Sequence, residues 1–176
     1  MEDAPGIMNI LLSAIQMEID GREFYLKAGE KSNNELARSL FKTLADEENL
    51  HQEKAREIYN TVKAGGDWPD QDMSFEQEKQ KVDTIFSVAL KNAEHAAIES
   101  PSDLEAVRIA LDMENKSFEF YKKQGGEATH PAEMKFYQAL ASQEKWHYMT
   151  LLDTEEYLSD TEGWIMAKQH ITLDGA

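Results

Sequence analysis

The segment L-A-D-E-E-N-L-H at residues 44–51 returns as L-A-S-Q-E-K-W-H at 140–147, each ending in a glutamate three residues before a histidine. Sliding the chain by 96 positions aligns more than these two segments. Residues 14–31 fall without a gap on 110–127, and eight of the eighteen positions are identical. Among them are Met17/Met113, Glu18/Glu114, Phe24/Phe120 and Tyr25/Tyr121. The repeated unit therefore carries a glutamate on its first segment and Glu-x-x-His on its second. Any fold for this chain has to place that set of residues twice.

The surrounding pattern is helical. Ile7, Leu11, Ile15 and Ile19 recur at helical spacing through residues 7–30. Ser32-Asn33-Asn34-Glu35 reads as a capping box opening a second helix that runs to about Ala64. Gly65-Gly66-Asp67-Trp68-Pro69-Asp70 reads as a loop. A third periodic segment, 75–98, puts Val82, Ile85, Phe86, Ala89, Leu90 and Ala93 on one face. Ser102 with Glu105 suggests a further capping box, for a helix from about 103 that stops at Gly125-Gly126. Pro131 opens the last long helix, to about Leu158. Glu127 and His130 repeat the Glu-x-x-His spacing, but Gly125, Gly126 and Pro131 bracket them, so they read as a loop. The remainder, 159–176, shows no clear period and is expected to pack as an irregular tail.

These elements predict an all-α fold, one domain over 1–176. It is a four-helix bundle of two duplicated hairpins, 7–64 and 103–158, joined by a long crossover at 65–102 that carries the extra helix. Glu48 and Glu114 are separated by 66 residues, against 30 between Glu18 and Glu48 or between Glu114 and Glu144, which leaves room for that crossover. Glu18 precedes its turn by about a dozen residues and Glu48 follows it by as many. At about 1.5 Å per residue both sit roughly 20 Å from the turn, level with each other in an antiparallel pair. His51 lies one turn beyond Glu48 on the same face. The second hairpin repeats the geometry, so Glu18, Glu48, His51, Glu114, Glu144 and His147 should converge at one height in the core.

Four buried carboxylates without positive charge would repel each other and be costly to desolvate. A pair of metal ions removes that cost. The carboxylates can bridge and terminate the ions, and each histidine gives one nitrogen to its own ion. Glu48 and Glu144, beside the histidines, are the expected bridges. Mixed oxygen and imidazole donors suit iron, with manganese as the alternative, better than a closed zinc site. Tyr25 and Tyr121, two turns after Glu18 and Glu114 on the same faces, are placed to hydrogen-bond a ligating carboxylate. Trp146 falls off the face of Glu144 and His147 and reads as packing.

The composition sets outer limits. There is no cysteine, which removes disulfides, thiolate metal sites and thiol catalysis. A formal charge of −16 argues against nucleic acid and anionic lipid as partners. The first residues, M-E-D-A-P-G, lack the features of a secretory signal, and no apolar run is long enough to span a membrane. The cytoplasm is the expected location.

Taken together, A-I-Q-M-E with E-F-Y, L-A-D-E-E-N-L-H, A-L-D-M-E with E-F-Y, and L-A-S-Q-E-K-W-H resemble the rubrerythrin-like branch of the ferritin-like superfamily over about residues 7–158. The tail, with G-W followed by L-D-G, is similar to single-domain members of that branch. The resemblance implies a ferritin-like bundle and a non-haem di-iron centre that reacts with hydrogen peroxide or dioxygen. It further implies a peroxidase role in oxidative-stress defence and a homodimer.

Two departures stand out. Full-length rubrerythrins carry a cysteine-ligated rubredoxin domain, so turnover here requires an external electron donor such as a rubredoxin-like protein. They also carry a further glutamate one turn after the third-helix ligand, where this chain has Ser117, matched by Gly21 in the first repeat. The small residues either leave a coordination position open or let helices pack closely. Rival readings are a ferroxidase and iron-storage protein, a non-enzymatic metal-binding module, and a di-iron oxygenase acting on an organic substrate.

Overall fold

The computed structural model describes residues 4–69, 85–88 and 101–173, and all regular structure among them is helical. Helix α1 spans Ala4–Lys31, α2 Glu35–Lys63, α3 Pro101–Glu127, α4 Pro131–Ser159 and α5 Thr161–Leu173. The third helix expected at 75–98 falls mostly outside the described residues; residues 85–88 of it are helical. The tight pairs are α1 with α2 and α3 with α4, which are the two duplicated hairpins.

The apolar core is divided. One cluster joins Leu11 and Ile15 of α1, Ile58 and Val62 of α2, Tyr121 of α3 and Phe136, Tyr137 and Leu140 of α4. The other joins Tyr25, then Leu40, Phe41 and Leu44, then Val107 and Ala110, then Leu151. The first cluster thus uses the early part of α1 and α4 and the late part of α2 and α3; the second uses the reverse. That assignment makes each hairpin antiparallel and sets α1 antiparallel to α3. Between the two apolar layers, at mid-height, lie Glu18, Glu48, His51, Glu114, Glu144 and His147, all buried.

Local signals explain most boundaries and correct four expectations. The cap of α2 is Asn34 and not Ser32: its extended backbone and its side-chain oxygen, accepting from the Ala37 N–H at 3.1 Å, satisfy the free helix end. Ser32 instead donates its hydroxyl to the Asn34 carbonyl at 3.0 Å. Helix α3 already includes Pro101, so Ser102 and Glu105 lie within it and form no capping box across its start. Proline suits a first turn because its missing N–H would have had no partner there.

Nor does Gly125-Gly126 stop α3, which continues to Glu127. A Cβ on Gly125 would come within 3.2 Å of Gln138 Cγ and 3.5 Å of Tyr137 Cβ, so the glycine serves close approach to α4. Gly29 does the same in the first hairpin, 3.5 Å from Phe41 Cβ. By contrast Gly65, at φ +83°, takes the left-handed conformation that ends α2.

The fourth correction concerns the tail, which is helical as α5. Asp160 ends α4 and its carboxylate accepts the Gly163 N–H at 3.0 Å, so one residue closes one helix and starts the next. Trp164 is then buried edge-on against Tyr157, with centroids 5.2 Å apart, and its indole N–H donates to Asp153 at 3.0 Å. The short helix is stabilised by docking, a tertiary effect that a periodicity reading does not register. Replacing Trp164 by alanine is expected to cost about 3 kcal/mol in urea unfolding followed by circular dichroism. A loss below about 1 kcal/mol would show that α5 is not docked in this way.

Candidate metal centre

Each of the four bundle helices contributes to the buried layer. Glu18 comes from α1, Glu48 and His51 from α2, Glu114 from α3, and Glu144 and His147 from α4. All six residues expected from the repeat are brought together. Two groups of donor atoms form, each with every atom within 4.8 Å of the others. One is Glu18, Glu48, His51 and Glu144; the other is Glu48, Glu114, Glu144 and His147. Glu48 and Glu144 belong to both, as a pair of shared carboxylates between two cations would.

The internal distances fit a coordination shell. His51 Nδ1 is 3.2 Å from Glu18 Oε2, 3.7 Å from Glu48 Oε2 and 3.5 Å from Glu144 Oε1. His147 Nδ1 is 3.4 Å from Glu48 Oε1 and 3.5 Å from Glu114 Oε2. Ligands held about 2.1 Å from one ion stand about 3.0–3.6 Å from each other, depending on the angle. The two imidazoles face each other across the site nearly parallel, at 18° and 5.6 Å between centroids. Glu114 Oε2, Glu144 Oε1 and His147 Nδ1 are buried and have no hydrogen-bond partner. Buried polar atoms normally find one, so these atoms fit coordination to a cation.

Both tyrosines reach the layer, and they do so crosswise. Tyr25 of α1 donates its hydroxyl to Glu114 of α3, and Tyr121 of α3 donates to Glu18 of α1. Burial, reinforced by the neighbouring glutamate charges, pushes both phenols well above the usual tyrosine range, so they remain donors. Each tyrosine thereby fixes one oxygen of a glutamate on the other hairpin and leaves the second oxygen for the centre. Trp146 is half-buried against the second apolar cluster, as packing.

Gly21 differs from the helix-packing glycines. The atoms nearest a Cβ on Gly21 belong to the Glu48 carboxylate side chain, the closest at 3.4 Å. Around Gly29 they belong to Phe41 and the backbone of α2. Gly21 therefore leaves room beside a candidate ligand. Ser117, its counterpart, is half-buried.

Glu47 is the buried participant that the sequence reading missed. It is 1 % exposed and accepts the Nε2–H of His147 at 2.8 Å. With Nδ1 turned toward the carboxylates, that bond fixes which imidazole nitrogen carries the proton. A signal was available in the repeat, because Glu47 and Gln143 occupy the same position immediately before the repeated glutamate.

A family model described as Rubrerythrin matches residues 9–155. The chain belongs to the rubrerythrin family. No match was found among curated proteins or among solved structures. The buried carboxylate and histidine layer of this rubrerythrin fits metal binding. Among the described residues, no helix is long and apolar enough to cross a membrane.

Without a cation, protons must neutralise the layer. Burial and the adjacent Glu48 charge push the Glu18 carboxyl up to about 8, from an ordinary value of 4.5. Burial and the charges of Glu114, Glu48 and Glu18 hold Glu144 well above its usual range. Burial alone would raise Glu48 too, but contacts from Glu18 and both histidines outweigh it and hold that carboxyl low. Burial alone would lower both histidines, but the surrounding glutamates outweigh it and raise them.

The direction of the pH effect follows. Between pH 4.5 and about 8 the folded chain keeps a proton on Glu18 that the unfolded chain has lost. That stability is lost as pH rises through the window, and the raised Glu144 and histidines act in the same sense. Glu48 acts oppositely, and only as pH falls below the ordinary carboxylate range. In chelator, the melting temperature is therefore expected to fall from pH 5 to pH 8. With manganese(II) added, the fall should shrink or reverse, because metal replaces protons that are easier to remove at high pH. Scanning calorimetry checks this, and a flat or rising profile in chelator would contradict it.

Proposed function

We propose that this rubrerythrin is a di-iron protein that reduces hydrogen peroxide in oxidative-stress defence, with electrons from a donor outside these 176 residues. The observation that carries the reading is the sharing of Glu48 and Glu144 between two groups of buried donors. Glu18, Glu48 and His51, with Glu144, would hold one iron; Glu114, Glu144 and His147, with Glu48, would hold the other. Bound iron would supply the electrons and Lewis acidity that the protein groups lack.

The remaining work falls to this chain's own residues. The apolar layers above and below the site exclude bulk water, which strengthens every charge interaction within it. Tyr25 and Tyr121 orient Glu114 and Glu18 and hold a proton beside each carboxylate. Gly21 puts no side chain against the Glu48 carboxylate, which is where a small oxidant would approach in this reading. The chain has no cysteine, so a rubredoxin-like protein is the natural class of donor. The same reading has the protein act in the cytoplasm as a homodimer, with no nucleic-acid or membrane partner.

Anaerobic loading with ferrous iron, followed by stopped-flow mixing with peroxide or dioxygen, tests the proposal through the near-ultraviolet absorption of oxidised iron. The expected result is saturation at two irons per chain and faster oxidation by peroxide. Iron uptake far beyond two, with a preference for dioxygen, would replace peroxidase by storage. In Glu114→Ala, iron binding should fall while the helical circular dichroism persists. Retention of full iron binding would remove Glu114 from the site.

A further inference from the structure

Tyr121, which donates its hydroxyl to Glu18, is also the first of three oxidisable rings in contact. Its ring stacks on Tyr137 of α4, with centroids 6.3 Å apart and planes at 18°. Tyr137 in turn meets Trp68 edge-on at 6.0 Å. Trp68 follows the end of α2 and is 5 % exposed, while the side chain of its neighbour Asp67 is 76 % exposed, so the third ring lies just beneath the surface. The first hairpin makes the same step differently. Tyr25 donates to Glu114 and stacks at 6.1 Å and 27° on Phe41, the residue that the shift of 96 places on Tyr137. Phenylalanine fills such a space but resists the one-electron oxidation that tyrosine and tryptophan undergo. Packing alone therefore does not account for the Tyr137 hydroxyl. It is buried without a hydrogen-bond partner, which costs stability relative to the phenylalanine of the other repeat.

We propose that Tyr121, Tyr137 and Trp68 form a one-electron relay that carries oxidising equivalents from the centre to the surface at Trp68. The relay rests on the peroxide reading for its purpose, though not for its test. Peroxide that receives one electron instead of two is split into hydroxide and a hydroxyl radical, which would attack the ligands. Tyr121 reduces that radical to water by giving up one electron and its hydroxyl proton. An electron from Trp68, passed on by way of Tyr137, and a proton taken up from solvent restore Tyr121. Trp68 releases its indole proton and holds the radical near the surface. There the external donor returns one electron, and water one proton. Rings in contact suit each hop, because electron transfer weakens steeply with distance.

A relay between stations of similar potential runs in both directions, so its outer end can be tested without metal. Trp146→Phe/Trp164→Phe leaves Trp68 as the single tryptophan of the chain. Pulse radiolysis in azide solution makes azidyl radicals, which oxidise tryptophan. The tryptophanyl absorption should then give way to tyrosyl absorption at a rate independent of protein concentration. Adding Tyr137→Phe should abolish that phase. Adding Tyr121→Phe instead should keep the phase but change the paramagnetic resonance of the tyrosyl radical, from hydrogen-bonded at Tyr121 to unbonded at Tyr137. A merely structural role would move neither readout.

Persistence of the tryptophanyl radical, a conversion that scales with protein concentration, or an undiminished phase in Tyr137→Phe would overturn the relay. If the two tryptophan substitutions prevent folding, wild type takes their place. Tyr137→Phe must then remove the tyrosyl signal that Tyr121→Phe also removes, and the lack of a common loss counts against the relay. Iron-loaded protein given excess peroxide tests the outward direction. Peptide mass spectrometry should find oxygen added at Trp68 in wild type and not in Tyr137→Phe; equal oxidation in both would contradict it. Failure in radiolysis leaves the metal centre standing, and failure to bind iron leaves the radiolysis result standing.

Discussion

The layer of charge at mid-height in the bundle is the constraint to which the rest of the structure answers. Four glutamates and two histidines are taken out of water at one level. Leaving a single buried charge uncompensated costs about 3–5 kcal/mol, and a whole domain is stable by only about 5–15 kcal/mol. The layer is therefore sustainable only if positive charge is supplied to it, by protons or by metal ions. Protons do so incompletely, and the one on Glu18 is lost as pH rises through about 8. A pair of divalent cations would do so across the physiological range.

Several features that look unrelated follow from that constraint. The apolar core splits into two clusters because the charged layer interrupts it. The tyrosines donate to glutamates on the opposite hairpin, which ties α1 to α3 across the centre. Gly21 abuts a carboxylate, whereas Gly29 and Gly125 abut neighbouring helices, so identical residues serve the site in one place and the packing in others. Glu47 adds a fifth buried carboxylate at the centre, in contact with a histidine.

How much of this was legible in the sequence depended on whether the signal was periodic. The duplicated Glu and Glu-x-x-His pattern fixed the level and faces of six side chains, because an α-helix converts residue spacing directly into height and angle. The long helices showed for the same reason. Helix α5 did not, since thirteen residues without strong periodicity become helical through the docking of Trp164 on Tyr157. The run past Gly125-Gly126 was hidden because a glycine demanded by close packing looks the same in sequence as one that ends a helix. Asn34 and Ser32 were both suitable caps, and only the backbone turn decided between them. Glu47 went unnoticed because an acid adjacent to a candidate ligand usually faces solvent, and burial is not written in a single sequence.

Crystals grown with manganese(II) or iron(II) and examined by anomalous diffraction would test the central claim most directly. The account requires two metal peaks within about 4 Å of each other, at mid-height in the bundle, with Glu48 and Glu144 each touching both. A single ion, ions bound away from this layer, or an empty layer in loaded crystals would contradict it.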